Sequence, residues 1–524
     1  MMAAKKPTAK GYPLDELLNG FVEQGCFIDP YCMISGLSLD SRQVEEGFLF
    51  IACQGIQQHG LAFAEKAIER GAVAIVYEED ITGQEELSVY LKKLELIDIP
   101  VIVIDELSVK VGFIADRFYN EPSKEIRVTG ITGTNGKTSC SHYLASLLGQ
   151  STKVAVMGTL GNGMLDKLAL TLNTTPDAIT VHGFMARMLE QGASDVVMEV
   201  SSHGLSQGRV NGVRFDTAIF TNLSRDHLDY HSDMASYGRS KRKLLEMPGL
   251  RYAVVNADDE FGREILQDLP DTVQSVAYSL SDAMNADAAV LRSNLMHLGC
   301  VQGSDLRFTD SGLSMHVSSP WGDTVIKCAL YGHFNAENLL AVLAAALLNG
   351  IRLDDAAKSI AKLKSVAGRM EKVSVSPKQP TVIVDYAHTP DALLQVLESV
   401  RCHSERKLWC VFGCGGDRDM GKRPLMGQVA DEYADEIILT NDNPRSEPAD
   451  EIIKQISEAI KRKNHLHIEQ DRAKAISYAL THAKQGDVVV IAGKGHEDYQ
   501  LIGDKRIDFS DVDTALEVLG GLPS

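Results

Sequence analysis

Gly130-Ile131-Thr132-Gly133-Thr134-Asn135-Gly136-Lys137-Thr138 is the stretch that decides how this chain folds. The alternating segment Glu125-Ile126-Arg127-Val128-Thr129 precedes it, and Cys140, Tyr143, Leu144, Leu147 and Leu148 follow at helical spacing. A strand, a glycine loop, Lys-Thr and a helix make a nucleotide phosphate site, because backbone N–H groups can close on the phosphates. Lys137 then reaches the outer phosphates, and the Thr138 hydroxyl is placed to ligate Mg2+. The common spacing GxxxxGK[ST] is not met, since Ile131 stands where its first glycine would be. A bare glycine turn is the competing reading, and the strand–loop–helix context argues against it. The chain is expected to bind ATP or GTP.

Outward from this loop, 524 residues exceed what one core can organise and point to about three domains. Residues 1–105 form a first block, with strands over 47–51 and 73–77 around a helix over 62–70. A second block, 106–350, carries the phosphate loop, buried-strand runs at 196–200, 217–220 and 252–255, and a closing helix near 338–348. The third, 351–524, alternates strands at 381–384, 408–412, 436–439 and 488–491 with helices, the pattern of a doubly wound sheet. The expected fold is α/β in three domains. A smaller N-terminal α/β domain precedes a central P-loop-type, mostly parallel sheet with helices on both faces, and a Rossmann-like α/β domain follows.

Composition narrows the function classes. Hydrophobic residues at 44% and charged residues at 23% are ordinary for a soluble globular protein. A net charge of −19 argues against nucleic acid as a partner. The longest apolar run, 339–348, is too short to span a membrane. The basic start lacks the apolar segment of a secretion signal. Nine cysteines without a CxxC pair fit reduced thiols in the cytoplasm, with Cys410 and Cys414 as core and loop residues rather than zinc ligands.

The polar motifs fall where strands end. Glu199-Val200-Ser201-Ser202-His203 closes one central strand, and Asn222 to His227 follows another. In the third block, Asp385-Tyr386-Ala387-His388, Gly413 to Arg418, Asp442-Asn443-Pro444-Arg445 and Gly493-Lys494-Gly495-His496-Glu497 each follow a strand. Open α/β sheets bind ligands beyond the carboxyl ends of their strands, so these loops are expected to line an enzyme's cleft. Glu199 ends a buried apolar run, where a carboxylate is costly unless paired or metal-bound; the alternative is a loop cap. His227 is a ligand or charge-stabilising group, or else a satisfied loop histidine. The run Arg239-Ser240-Lys241-Arg242-Lys243 places cations together, which lowers an ammonium pKa and leaves more neutral amine. Arg418 and Arg445 suit carboxylates, because a guanidinium fork meets them bidentately. Pro444 stiffens the loop that presents Arg445. Glu497 could receive an ammonium, so the substrate is expected to be both amine and carboxylate.

Taken together, these residues resemble the Mur ligases, ATP-dependent amide-forming enzymes of peptidoglycan synthesis. The match runs from Leu39-Asp40-Ser41-Arg42 to Gly493-Lys494-Gly495-His496-Glu497, with residues 132–138, 199–203, 222–231, 332–338, 368–371 and 385–391 in family order. The motif Asp442-Asn443-Pro444-Arg445 resembles the one that selects diaminopimelate. The resemblance implies a cytoplasmic, monomeric enzyme acting on UDP-N-acetylmuramoyl-L-alanyl-D-glutamate and meso-diaminopimelate. It implies that Leu39, Ser41, Ile56, Gln57 and Gln58 hold the uridine end, and that Asn173, Thr174, Thr175, Ser201, Gln207 and Arg209 hold the muramoyl-dipeptide. ATP would lie on Gly133, Thr134, Asn135, Gly136, Lys137, Thr138, Ser139, Asn335, Asn338, Arg369 and Asp385. Diaminopimelate would meet Arg418, Asp442, Asn443, Pro444, Arg445, Gly493 and Glu497. Lys241 matches a lysine that this family carbamylates with CO2. With Thr138, Glu199 and His227 it would hold Mg2+, and Lys137, Glu199, His227 and Lys241 would be the catalytic set. Phe48 departs from the family's usual aspartate in the GDLF segment and is expected to be a surface change. Closure of the third domain onto the central one is expected to bring in Arg369 and Asp385. A folylpolyglutamate synthase-like ligase and a nucleotide-hydrolysing regulator remain as rivals.

Overall fold

The structure, a computed structural model, describes residues 11–521 apart from 24–27, 56–57, 80–83, 95–97, 172, 282–295, 310–311, 374–375, 377 and 403–405. The chain divides into two compact units, the first Met1–Gly130, Thr152–Asp216 and Met247–Gly249, the second Ile131–Ser151, Thr217–Glu246 and Leu250–Ser524.

In the first unit, strands Gly36–Ser38, Phe48–Ala52, Ala72–Tyr77 and Val101–Val103 pair in that order, all parallel. Leu49 and Ile51 face one buried cluster and Phe50 and Ala52 another, as the two-residue period of a strand requires. Phe48 is not the surface change expected from sequence. Its ring packs beside the second cluster and lies where a side chain at Gly36 would have to sit. The same unit places Lys167–Ala169, Gly161–Met164, Val154–Gly158, Asp195–Glu199 and the part of strand Arg127–Thr132 up to Gly130 side by side. Val196, Val197 and Met198 are buried on both faces, which is why that strand reads as a continuous apolar run. Helices Leu107–Phe118 and Ala178–Glu190 contribute Ile114, Ala115 and Ile179 to the first cluster.

In the second unit, strands Thr217–Phe220, Tyr252–Asn256, Gln274–Ser279 and His297–Thr309 are parallel neighbours. The antiparallel strands Gly312–Ser319 and Gly322–Cys328 then extend the sheet, an addition that the sequence reading missed. Helix His333–Leu348 is buried at almost every position from Asn335 to Leu347, so it shows no polar face. A six-stranded sheet follows in the order Glu371–Val373, Thr381–Asp385, Val488–Ala492, Leu408–Phe412, Glu436–Leu439, Leu466–Ile468. All its pairs are parallel except the first. Val488, Val490 and Ala492 enter one helical layer while Val489 and Ile491 enter the other, so the sheet is covered on both faces. Parallel strands put Asp385, Gly413, Thr440 and Gly493 at one edge, and the motif loops leave from there.

That edge is tied down by a buried ion pair. Arg472 donates from Nε and Nη2 to Asp511 at 2.7 Å each, with both side chains wholly buried, and Nη2 also reaches the carbonyl of Ala492 at 2.9 Å. The pair joins helices Arg472–His482 and Asp511–Gly521 to a strand end. Removing one partner of a buried pair leaves an uncompensated charge at a cost of about 3–5 kcal/mol. Asp511→Ala is therefore expected to lower the unfolding free energy measured by denaturant titration by that amount, and a loss below about 1 kcal/mol would show that the pair is solvated or replaceable.

Candidate active site

The phosphate loop lies between strand Arg127–Thr132 and helix Lys137–Leu148. Gly133 and Gly136 take φ of 144° and 87°, and a Cβ at Gly136 would come within 2.5 Å of Asn338 Oδ1. Only glycine accepts both demands. Asn222 braces the loop: its carbonyl accepts the Thr134 N–H at 2.9 Å and its Oδ1 accepts the Asn135 N–H at 2.9 Å. Thr221 Oγ1 donates to the Asn135 carbonyl at 2.6 Å. Lys137 Nζ donates to the carbonyls of Gly133 and Thr134 at 2.8 Å each, folding across the loop it belongs to. Thr138 and Ser139 are buried at the helix start. Asn335 and Asn338, from helix His333–Leu348, lie below: Tyr143 Oη donates to Asn335 Oδ1 at 3.4 Å and Cys140 Sγ contacts Asn338 Oδ1 at 3.3 Å.

Lys241, on helix Met234–Arg242, is 1% exposed and donates to the Gly133 carbonyl at 2.7 Å, with its ammonium 4.3 Å from the Tyr237 ring centre. Burial drives its pKa well below the usual lysine value, and Lys137 pushes the same way. The sequence had pointed instead to Arg239, Arg242 and Lys243. Arg242 in fact turns to Glu246 and Asp268, and Arg239 to Ser236. The helical period separates neighbours in sequence, sending Lys241 inward and the others outward. His227 has φ 54° and its Nε2 lies 3.4 Å from Asp226 Oδ2. Burial lowers its pKa despite Asp226, keeping the ring neutral, the state in which a histidine ligates a metal.

From the six-stranded sheet, Arg369 Nη2 donates to Thr138 Oγ1 at 3.2 Å, and Asn135 Nδ2 donates to Asp391 Oδ2 at 2.9 Å. The contact expected from domain closure is thus made within the second unit. Asp385 accepts the N–H groups of Met370 at 2.6 Å and Ala387 at 2.8 Å. Burial pushes its carboxyl upward, against the pull of Arg369. Asp385 therefore shapes the turn that presents Arg369. The guanidinium of Arg369 stacks 4.4 Å from the Tyr386 ring centre, and His388 and His496 flank that ring at 4.8 and 5.3 Å. Burial pushes both imidazoles down to about 4, leaving them neutral.

The loops after strands Glu436–Leu439 and Val488–Ala492 adjoin this cluster. A side chain at Gly368 would collide with the backbone of Gly495 and His496, so the turn bearing Arg369 touches the loop bearing Glu497. Asn443 Nδ2 donates to Glu497 Oε2 at 2.9 Å, and Lys494, fully buried, donates to the same oxygen at 2.9 Å and to Asn443 Oδ1 at 3.1 Å. Sequence reasoning missed Lys494. A lysine beside two glycines carries no burial signal, and here it already balances part of the Glu497 charge. Asp442 is buried with Oδ2 close to Gly493, and Pro444 is buried beside it. Arg445 has φ 53° and donates to the Gly416 carbonyl at 2.7 Å, while Arg418 is exposed and donates to the Asp417 carbonyl at 3.0 Å.

In the first unit, Glu199 is wholly buried and accepts the Thr159 N–H at 2.9 Å and its hydroxyl at 3.1 Å. The short helix that follows is capped by Ser201, which accepts the Gly204 N–H at 3.1 Å. Thr174 meets Thr159 at 3.0 Å, and Thr175 donates to the Glu199 carbonyl at 2.9 Å. Arg209 donates to the Thr175 carbonyl at 2.7 Å and to Gln207 Oε1 at 2.6 Å. Six expected residues, Thr174, Thr175, Glu199, Ser201, Gln207 and Arg209, thereby form one polar cluster. Asn173 is exposed at its margin, bonded to Thr171. Elsewhere in the unit, Ser41 is buried, Leu39 is 37% exposed and Gln58 donates to Tyr90 Oη at 3.4 Å. Ile56 and Gln57 lie outside the described residues.

Among the described residues no three His, Cys, Asp or Glu side chains gather as a metal group. Of the expected Mg2+ set, Glu199 lies in the first unit and Thr138, His227 and Lys241 in the second, where a fit depends on the Thr138 hydroxyl and on Lys241 acquiring negative charge. Among the described residues, too, no helix is long and apolar enough to cross a membrane, and the cysteines are free thiols.

Residues 131–346 match the Mur ligase middle domain, residues 368–495 the Mur ligase glutamate ligase domain, and residues 33–119 the Mur ligase family catalytic domain. The UDP-N-acetylmuramoyl-L-alanyl-D-glutamate–2,6-diaminopimelate ligase of Alkalilimnicola ehrlichii is 44% identical over 490 residues, 93% of this chain and 95% of its own length. The Coxiella burnetii ligase of the same name is 44% identical over 488 residues, 93% of this chain and 96% of its own. A solved structure of a ligase of that name aligns with a TM-score of 0.67 at 36% identity, covering 98% of this chain and 99% of its own. With relatives this similar along nearly its whole length, and the braced phosphate loop in place, the chain belongs to the Mur ligase family.

Proposed function

We propose that this protein is an ATP-dependent ligase that joins meso-diaminopimelate to the D-glutamyl γ-carboxylate of UDP-N-acetylmuramoyl-L-alanyl-D-glutamate, in cytoplasmic peptidoglycan precursor synthesis. One observation carries the proposal: an unbroken path of contacts from the nucleotide loop to the arginine loops. Thr138 meets Arg369, Arg369 stacks on Tyr386, Tyr386 adjoins His496, and Glu497 binds Asn443 beside Arg445. One chain supplies all of these groups, so a monomer suffices. Segment 1–105 would serve the uridine nucleotide, 106–350 ATP and 351–524 the incoming amino acid.

An amine cannot displace an oxygen from a carboxylate until that oxygen becomes a leaving group. The γ-phosphoryl group of ATP supplies this: a carboxylate oxygen bonds to phosphorus, the bond to ADP breaks, and an acyl phosphate results. The amine, having lost a proton, attacks the acyl carbon, and phosphate departs as the amide forms. Such transfers are catalysed mainly by positioning and charge, which Lys137 and Arg369 provide at the phosphates. Thr138, His227 and a carbamylated Lys241, all in the second unit, offer hydroxyl, neutral imidazole and carbamate donors for Mg2+, which when bound would neutralise phosphate charge. Contact between the Arg369 turn and the phosphate loop keeps water from the acyl phosphate.

A panel of amino acids offered with ATP and the muramoyl-dipeptide nucleotide, read by ADP release and product mass, tests the proposal. ADP is expected only when both the nucleotide and diaminopimelate are present. Turnover without any amino acid would identify a nucleotide-hydrolysing regulator instead, and turnover with a folate and glutamate would favour the folylpolyglutamate synthase-like alternative.

A further inference from the structure

Arg418 and Arg445 follow different strands, Leu408–Phe412 and Glu436–Leu439, yet two arginines recognise a substrate only if their separation is held. We propose that Arg423 and Glu447, with Asp417 and Ser446, are positioning residues that clasp the two arginine loops together and so set which amino acid is accepted. The inference rests on the reading that Arg418 and Arg445 receive carboxylates.

Arg423 lies in the first turn of helix Lys422–Tyr433 and is wholly buried, which is the wrong end of a helix for a cation. Packing alone would be served better by an apolar residue of the same size. Its fork is instead spent on the loops. Nη1 and Nη2 each donate to a Glu447 oxygen at 2.8 Å, Nη1 reaches Gln455 Oε1 at 2.8 Å, and Nη2 reaches the Gly415 carbonyl at 3.4 Å. Nε finds no hydrogen-bond partner among the described residues. Bidentate pairs of this kind fix direction as well as distance.

Glu447 extends the clasp by accepting the Asp417 N–H with the oxygen that binds Nη2. Asp417 answers in reverse, accepting the Ser446 hydroxyl at 2.7 Å and N–H at 3.2 Å. Gly416 donates its N–H to the Asn443 carbonyl at 2.9 Å, and any side chain there would strike the Pro444 carbonyl. Asp417 and Arg445 both hold left-handed backbone, φ 55° and 53°, which non-glycine residues keep only when their surroundings impose it. Each substrate arginine is therefore the immediate chain neighbour of a clasp residue: Arg418 follows Asp417, and Arg445 precedes Ser446. Ties to the hairpin Tyr499–Ile502 and Lys505–Asp508, through Leu501 and Gly503, hold Arg445 at its N–H and carbonyl.

Two measurements on the full chain test the clasp, using Glu447→Gln and the exposed-site variant Ser446→Ala. Without substrates, hydrogen exchange is expected to quicken together in residues 413–418 and 442–447, by about tenfold in Glu447→Gln, because each loop loses its brace. With substrates, KM for the amino acid preferred by the wild type is expected to rise about tenfold while KM for ATP stays unchanged. Preference for that amino acid over an analogue lacking one carboxylate is expected to fall by a similar factor. Unchanged exchange in both variants would overturn the clasp whatever the substrate is. Quickened exchange with selectivity intact in both would overturn its role in selection. A wild type that prefers a different amino acid would defeat the diaminopimelate reading alone, since both arms are still read. Glu447→Gln that fails to fold leaves Ser446→Ala to decide.

Discussion

Lys241→Ala is expected to lose about 10³-fold or more in kcat, with partial recovery when a small carboxylic acid is supplied. The amine sits 1% exposed against the Gly133 carbonyl at 2.7 Å, at the phosphate loop itself. Burial, helped by Lys137, holds its pKa far down. The neutral amine is the form that adds CO2, and the carbamate so formed would be an anion able to hold Mg2+ beside the phosphates. A small carboxylate entering the space left by the side chain would replace that anion. Full activity in the untreated mutant would refute the assignment. Isotope-labelled bicarbonate gives an independent readout: a carbamate resonance should appear in the wild type and vanish in Lys241→Ala.

Arg445→Ala is expected to cut kcat/KM for diaminopimelate by roughly 10²-fold while barely altering ATP binding. A fully buried guanidinium deprived of its carboxylate would stay unpaired and could discriminate by up to about 10⁴-fold. The structure lowers that figure. Arg445 is half-buried and already donates to the Gly416 carbonyl at 2.7 Å, so a substrate lacking the distal carboxylate strands less of it. Lysine should accordingly be disfavoured by the wild type at the same order and nearly restored to parity in the mutant. Equal losses for ATP and diaminopimelate would mean that the substitution damaged the fold rather than the amino-acid subsite.

Much of this is legible in the sequence. Strands over 217–220, 408–412 and 436–439 fall where the alternation and apolar runs put them, and the phosphate loop lies between the expected strand and helix. The strands Gly312–Ser319 and Gly322–Cys328 escaped notice, since their inward residues Leu313, Met315, Val317 and Ile326 are spaced among serines, lysine and aspartate. A strand covered on one face leaves a thinner apolar signal than one covered on both. Phe48 was misjudged for a related reason: a single substitution in a family segment says nothing about which neighbour its ring will cover.

What the amino-acid order determined by itself is local and periodic: which segments are strands, where glycines open a loop to phosphate, and which loops leave the carboxyl ends of a parallel sheet. Those features depend on backbone sterics and on a period of two or of 3.6 residues, and both are written into consecutive positions. The tertiary structure alone decided which charges stand together. Lys241 is pressed on by Lys137 and by burial rather than by Arg242, and Arg423 finds Glu447 from another strand's loop. Such pairings join residues far apart in the chain, and their energies depend on distance and desolvation, which exist only once the sheets have packed.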